Sequence, residues 1–282
     1  MLGFWLVNLL VPGDPPSASI TTSSGIWYFQ RNNPFNQLKD AIANNQCVNT
    51  YSIEIATSLD DGAAAANAAL DEVTPILLGL SYLSGLSVTV KHSLQTSDIQ
   101  ILQPTDYWPR ERVMGTGNSC VNTHAEFFNS LQAFVSAWPT VNQSEKIFIL
   151  MHHLLDALGC WSFEDFYLSA TTLLQIIAAS EERKQGGSPL YFFDAIKEAS
   201  NRFSITPLNR DFVRMRNNLI HEGKLLGGSF GGTNIEDCSV VASDLMNWFD
   251  EYIHVVMGLG TIKKKRFSKN TFMSLNAYSL DQ

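Results

Sequence analysis

The stretch Phe212-Val-Arg-Met-Arg-Asn-Asn-Leu-Ile-His-Glu-Gly-Lys224 decides how this chain is read. It forms the last turns of a helix predicted from Leu208 to about Glu222, with Pro207 near its start and Gly223 as its stop. Arg214 and Arg216 are two residues apart, Asn217 and Asn218 follow directly, and His221 comes five residues after Arg216. Asn217 and His221 are four apart and share a helix face. Arg216 lies off that face, but its long side chain can swing toward the imidazole.

Helical patterning extends outward from this segment. Ala125–Trp138, Ser144–Leu158 closed by Gly159, Phe163–Glu182 and Leu190–Arg202 after Pro189 precede it. A last helix capped by Asn234 and Asp237 runs to about Met257, after a Gly227–Gly232 linker. Together these predict an all-α bundle over residues 121–260, followed by a polar tail at 261–282. The first 120 residues are mixed. Met1–Val11 suits a buried strand, Gly25–Gln30, Thr50–Thr57 and Ser87–Lys91 suit strands, and Ile99–Leu102 suits one more. An Ala-rich helix from about Gly62 to Leu83, capped by Ser58, Asp60 and Asp61, connects two of them as a βαβ-like unit. The expected fold class is therefore α+β: an N-terminal α/β region, then an all-α bundle. The boundary is expected at the Pro/Gly-punctuated stretch from Pro104 to Gly117, near residue 120.

Composition excludes several classes. Of the 282 residues 45% are apolar and 16% charged, which gives a real core and rules out wholesale disorder. Nineteen Lys and Arg against 27 Asp and Glu give a net charge of −8, which argues against a globally basic nucleic-acid wrapper. The charge is uneven: −5 over residues 1–110, −4 over 111–179 and +1 over 180–282. A polyanion would meet the last third. Cys47, Cys120, Cys160 and Cys238 are scattered, with no C-x-x-C pair, so a reducing compartment and buried apolar roles are expected. The apolar N-terminus lacks a preceding Lys or Arg, and no run of about 20 apolar residues appears, so neither a signal peptide nor a membrane span is expected. The expected location is cytoplasmic.

The residue types on the deciding helix suit one chemistry. A guanidinium binds phosphate through paired donors. An imidazole takes and gives protons near neutral pH. An Asn orients either group or holds a phosphate oxygen. Together they suit metal-independent cleavage of an RNA phosphodiester. His221 would handle the 2′-hydroxyl or leaving-group proton, and Arg216 the charge growing on phosphorus oxygens. The products would be a 2′,3′-cyclic phosphate and a 5′-hydroxyl.

Arg216-Asn217-Asn218-Leu219-Ile220-His221 resembles the Arg-x4–6-His signature of the HEPN family, in its Arg-Asn-x3-His form. The resemblance covers roughly residues 125–258. It implies a small helical bundle, endoribonuclease activity without a cofactor, and action as a homodimer with two motifs in one cleft. It also implies a toxin or anti-phage defence setting, with a possible antitoxin or sensor partner. By that resemblance Arg216 and His221 are catalytic and Asn217 is their polar companion, with Arg214 and Asn218 in support. Leu154-Leu-Asp-Ala-Leu158 is similar to an acidic motif on an earlier HEPN helix, but with Asp for Glu. Asp156 is either that acid or an ordinary solvated helix-end residue. The rival reading is a non-catalytic HEPN-like scaffold that binds nucleotide or protein, or the neutralised half of a toxin–antitoxin pair.

Other motifs carry less. His152 with Asp156 has helical metal-ligand spacing but no evident third ligand. Gly115-Thr-Gly-Asn118 is too short for a phosphate loop. Lys263-Lys-Lys-Arg266 with Lys269 is either a solvated tail or a phosphate contact. No cofactor motif is present, and the role of the first 120 residues is not legible.

Overall fold

The computed structural model of the chain describes residues 2–56, 63–94, 108–115, 117–187, 189–225 and 234–278. The caps expected at Ser58, Asp60 and Asp61, the strand expected at Ile99–Leu102 and the Gly227–Gly232 linker lie outside them. The fold is α+β and divides into two compact units, Met1–Pro139 and Thr140–Gln282.

The first unit is built on a five-stranded antiparallel sheet in the order β2-β3-β4-β1-β5. The strands are β1 (Leu2–Val7), β2 (Ser17–Thr22), β3 (Gly25–Arg31), β4 (Asn49–Ile55) and β5 (Thr89–Ser93). Helix α1 (Phe35–Ala43) joins β3 to β4, and α2 (Ala63–Ser84) joins β4 to β5. The expected βαβ-like unit is thus split. β4 and β5 both pair antiparallel with β1, which lies between them. β1 reads as an apolar run, and it is a central strand paired on both edges, with Phe4, Leu6 and Val7 buried on the sheet faces.

The C-terminal half of α2 is buried all round from Pro75 to Ser84. One side faces the first turns of α3 (His124–Glu145), where a Cβ on Gly79 would come within 2.9 Å of Leu131 and Phe134. Gly79 therefore lets the two helices close. The ring of Phe128 on α3 lies 5.2 Å from that of Phe29 on β3. This packing is why the division falls at Pro139/Thr140 and not near residue 120. The first half of α3 serves the core of the first unit.

Glu72 on α2 clamps the β2–β3 turn. It accepts from Thr22 Oγ1 and Ser23 Oγ at 2.5 Å, and from the Ser24 amide and Trp27 Nε1 at 3.0 Å. Burial alone would raise its pKa, but the four donors outweigh burial and hold it below the ordinary 4.5. A carboxylate with a lowered folded pKa stabilises the fold fully above about pH 4.5. That contribution fades as pH falls through the folded value. Glu72→Ala is expected to cost the first unit about 1–3 kcal/mol. The check is hydrogen-exchange protection of the β2–β3 amides, which should drop in the variant and lose part of its acid dependence.

The second unit is helical: α4 (Ile147–Leu158), α5 (Phe163–Lys184), α6 (Phe192–Phe203), α7 (Asp211–Glu222), α8 (Ile235–Val256) and the short α9 (Lys269–Phe272). Helix α5 is central, with α4, α6, α7 and α8 all packed on it. Its N-cap Ser162 accepts from the Asp165 amide, and Asn234 caps α8 in the same way. Ser144 does not open α4. The helix before it runs through Pro139 to Glu145, and the chain breaks at Lys146 in the left-handed region, φ 59°. The Asn142 side chain accepts the Phe148 amide at 2.8 Å and does the capping.

Residues 261–278 are not a solvated tail. Arg266 and Phe267 are buried, α9 buries Phe272, and the Phe163 amide donates to the Asn276 carbonyl at 2.7 Å. Asp250 on α8 takes Arg266 through two hydrogen bonds, of 2.8 and 2.6 Å. A second buried group ties helix ends together. Glu145 and Glu181 share Lys184, at 2.7 Å each; Arg202 donates to Glu181 at 2.8 Å and Tyr252 to Glu145 at 2.7 Å. No helix among the described residues is long and apolar enough to cross a membrane. Cys120 and Cys238 are buried, whereas Cys47 and Cys160 are half-buried; none is in a disulfide.

Candidate active site

Helix α7 is positioned by its apolar side. Phe212, Met215 and Leu219 are buried, and Phe212 meets Phe192 edge-on at 5.5 Å and Phe193 at 6.2 Å. Tyr167 of α5 donates its hydroxyl to the Phe212 carbonyl at 2.7 Å. Burial pushes the Tyr167 phenol well above its ordinary pKa of 10.0, so it stays a donor across the working range. Tyr167→Phe is expected to destabilise the second unit by about 0.5–1.5 kcal/mol through loss of this second hydrogen bond to a helical carbonyl. Urea unfolding followed by far-UV circular dichroism checks this. The helix stops at Gly223, φ 65°, whose amide returns to the Leu219 carbonyl at 3.1 Å. That stop leaves His221 in the last turn.

The opposite side of α7 carries the motif. His221, Asn217 and Arg214 are exposed, and Arg216 and Asn218 are half-buried. The Arg216 guanidinium lies over the Phe192 ring, 5.7 Å from its centre, and donates to Asn217 Oδ1 at 3.2 Å. The arginine thus leans toward the helix face shared by Asn217 and His221. The His221 ring is exposed and makes no hydrogen bond or ion pair among the described residues. Arg214 approaches Asp211 Oδ1 only to 3.7 Å.

Asp156 is exposed on α4, and its carbonyl accepts the Cys160 thiol at 3.2 Å. It pairs with none of Arg214, Arg216, Asn217 and His221. His152, half-buried one turn earlier, meets Phe148 edge-on at 4.7 Å. Among the described residues no three His, Cys, Asp or Glu side chains gather to hold a metal ion. The basic run is divided: Arg266 is buried with Asp250, Lys269 pairs with Glu236, and Lys263 and Lys265 are exposed. Sequence reasoning missed Phe192, because nothing local links it to an arginine 24 residues later. It also missed Arg210, although its spacing of four from Arg214 was readable.

The chain matches no protein family, no curated protein and no solved structure.

Proposed function

We propose that the chain is a metal-independent endoribonuclease of HEPN type, acting as a homodimer through its helical unit. One observation supports this above the others. Arg216, Asn217 and His221 sit at the outer end of α7, with the guanidinium tied to Asn217 and the imidazole exposed. The reaction needs no water. The 2′-oxygen attacks phosphorus, the P–O5′ bond breaks, the 2′-hydroxyl proton passes to a base and an acid protonates O5′. In a dimer, His221 from each copy supplies one of these roles, and Arg216 neutralises charge on the non-bridging oxygens. A toxin or anti-phage role, with an antitoxin or sensor partner engaging the first unit, belongs to the same proposal. The test is incubation of purified protein with total RNA and tRNA in EDTA, beside Arg216→Ala and His221→Ala. Cleavage that survives chelation and disappears in both variants supports the reading. Cleavage unchanged in both variants sinks it.

The rival scaffold reading, binding nucleotide or protein without cutting, draws on the net charge of −8. Tight nucleotide or protein binding without cleavage would favour it.

A further inference from the structure

Three arginines elsewhere in the described residues are drawn to carboxylates, while Arg183 donates to Ser180 Oγ at 2.8 Å. Arg202 reaches Glu181 at 2.8 Å, Arg266 holds Asp250 through two bonds, and Arg31 pairs with Asp14. Helix α7 differs. It gathers Arg210, Arg214 and Arg216, none hydrogen-bonded to a carboxylate. Arg210, at the N-cap, lies over the Phe193 ring, 4.9 Å from its centre. Arg216 lies over Phe192. Arg214 has only the 3.7 Å approach to Asp211.

Their spacing matters as much as their freedom. Arg210, Arg214, Asn217 and His221 fall at steps of four, three and four residues, which places all of them on one helix face. All four are exposed. At 1.5 Å per residue the stripe runs about 16 Å along the helix. Of the acids of α7, Asp211 is buried and reaches the stripe only through its 3.7 Å approach to Arg214, and Glu222 lies on another side of the last turn. In a chain of net charge −8, such a stripe is a local departure from the general field.

From this we infer that α7 is a phosphate track for single-stranded RNA. Arg210 and Arg214 hold successive phosphates on one side of the bond presented to His221 and Arg216. The inference rests on the ribonuclease reading for the identity of the polyanion. It adds the substrate's form. Attack by the 2′-oxygen needs that oxygen in line with the departing 5′-oxygen. A regular A-form duplex keeps the two out of line, whereas a single strand laid along a helix face can rotate. Lying over the Phe193 ring, the Arg210 guanidinium keeps its edge for phosphate oxygens.

The test uses the full chain carrying His221→Ala, so that RNA is bound and not cut. A fluorescein-labelled 12-nucleotide RNA and its duplex are titrated by anisotropy from about 50 to about 200 mM salt. Adding Arg210→Gln with Arg214→Gln is expected to weaken single-strand binding about tenfold. It should flatten the log–log salt dependence by about 1.4, from about 0.7 per lost single-strand contact. Lys39→Gln with Lys197→Gln, two exposed lysines off this helix, should leave that dependence unchanged. An unchanged salt slope in the arginine pair, equal binding of the duplex, or no RNA binding overturns the track. If RNA is cut in a His221-dependent way while the arginine pair binds normally, the track fails and the ribonuclease reading stands. If the arginine pair loses binding while no RNA is cut, the track stands and the catalytic reading fails.

Discussion

His221→Ala is expected to lower RNA cleavage by about 10²–10⁴-fold, the usual contribution of a positioned proton-transfer group. Stability should stay within about 0.5 kcal/mol of the parent, since the ring is exposed and makes no hydrogen bond or ion pair among the described residues. Arg216→Ala should cost about 10²–10³-fold by removing the donor that the proposed mechanism sets against phosphate oxygens. Arg216→Lys keeps the charge but not the paired donors or the stacking over Phe192, so it should recover only part of the rate. On the proposed mechanism the two residues serve one transition state, so the double variant should be little worse than either single one. Single-turnover cleavage of a labelled RNA, with melting curves on the same samples, checks all four expectations.

Arg266→Met is expected to be the most destabilising single change in the second unit, at about 3–5 kcal/mol. The reason is what it leaves behind. The Asp250 side chain is 1% exposed and the Arg266 side chain 0% exposed, so the carboxylate would be stranded without water. The segment beyond α8 depends on the same point. Asn247 donates to the Phe267 carbonyl at 2.9 Å, and Phe267 and Phe272 stack in the core below it. Asp250→Leu combined with Arg266→Met should recover most of the loss, because replacing both members of a buried ion pair removes the unpaired charge. Urea unfolding of the two variants beside the parent decides this. Equal losses in the single and double variants would mean that packing of the arginine stem matters more than its charge.

Much of the fold is written locally. Strands β1, β3 and β4 carry continuous or alternating apolar residues, and helices α5, α7 and α8 show clear periodicity with a capping residue or a glycine stop. What escaped depended on tertiary context. β2 is Ser-Ala-Ser-Ile-Thr-Thr, with only Ile20 buried, and it exists because β3 pairs with it and Gln132 and Glu72 grip its end. Helix α1 was readable, since Leu38 and Ile42 are four apart and both buried. Pro139 suggested a stop that the helix ignores, and the break at Lys146 has no glycine to announce it. The four-residue basic run suggested solvent, yet one of its members completes a buried pair with an acid 16 residues earlier. At the site, the arginine, asparagine and histidine were legible because one helix carries them. Phe192, which holds Arg216 in place, comes from another helix and was invisible until the chain was folded.

The central claim is that this helix cuts RNA by transfer to the neighbouring 2′-oxygen. The most direct measurement is the end chemistry of fragments made by the full chain in EDTA, beside His221→Ala. Fragments ending in 2′,3′-cyclic phosphate and beginning with 5′-hydroxyl, absent with the variant, are the predicted result. Fragments with 3′-hydroxyl and 5′-phosphate ends, or the same fragments from the variant, would contradict it.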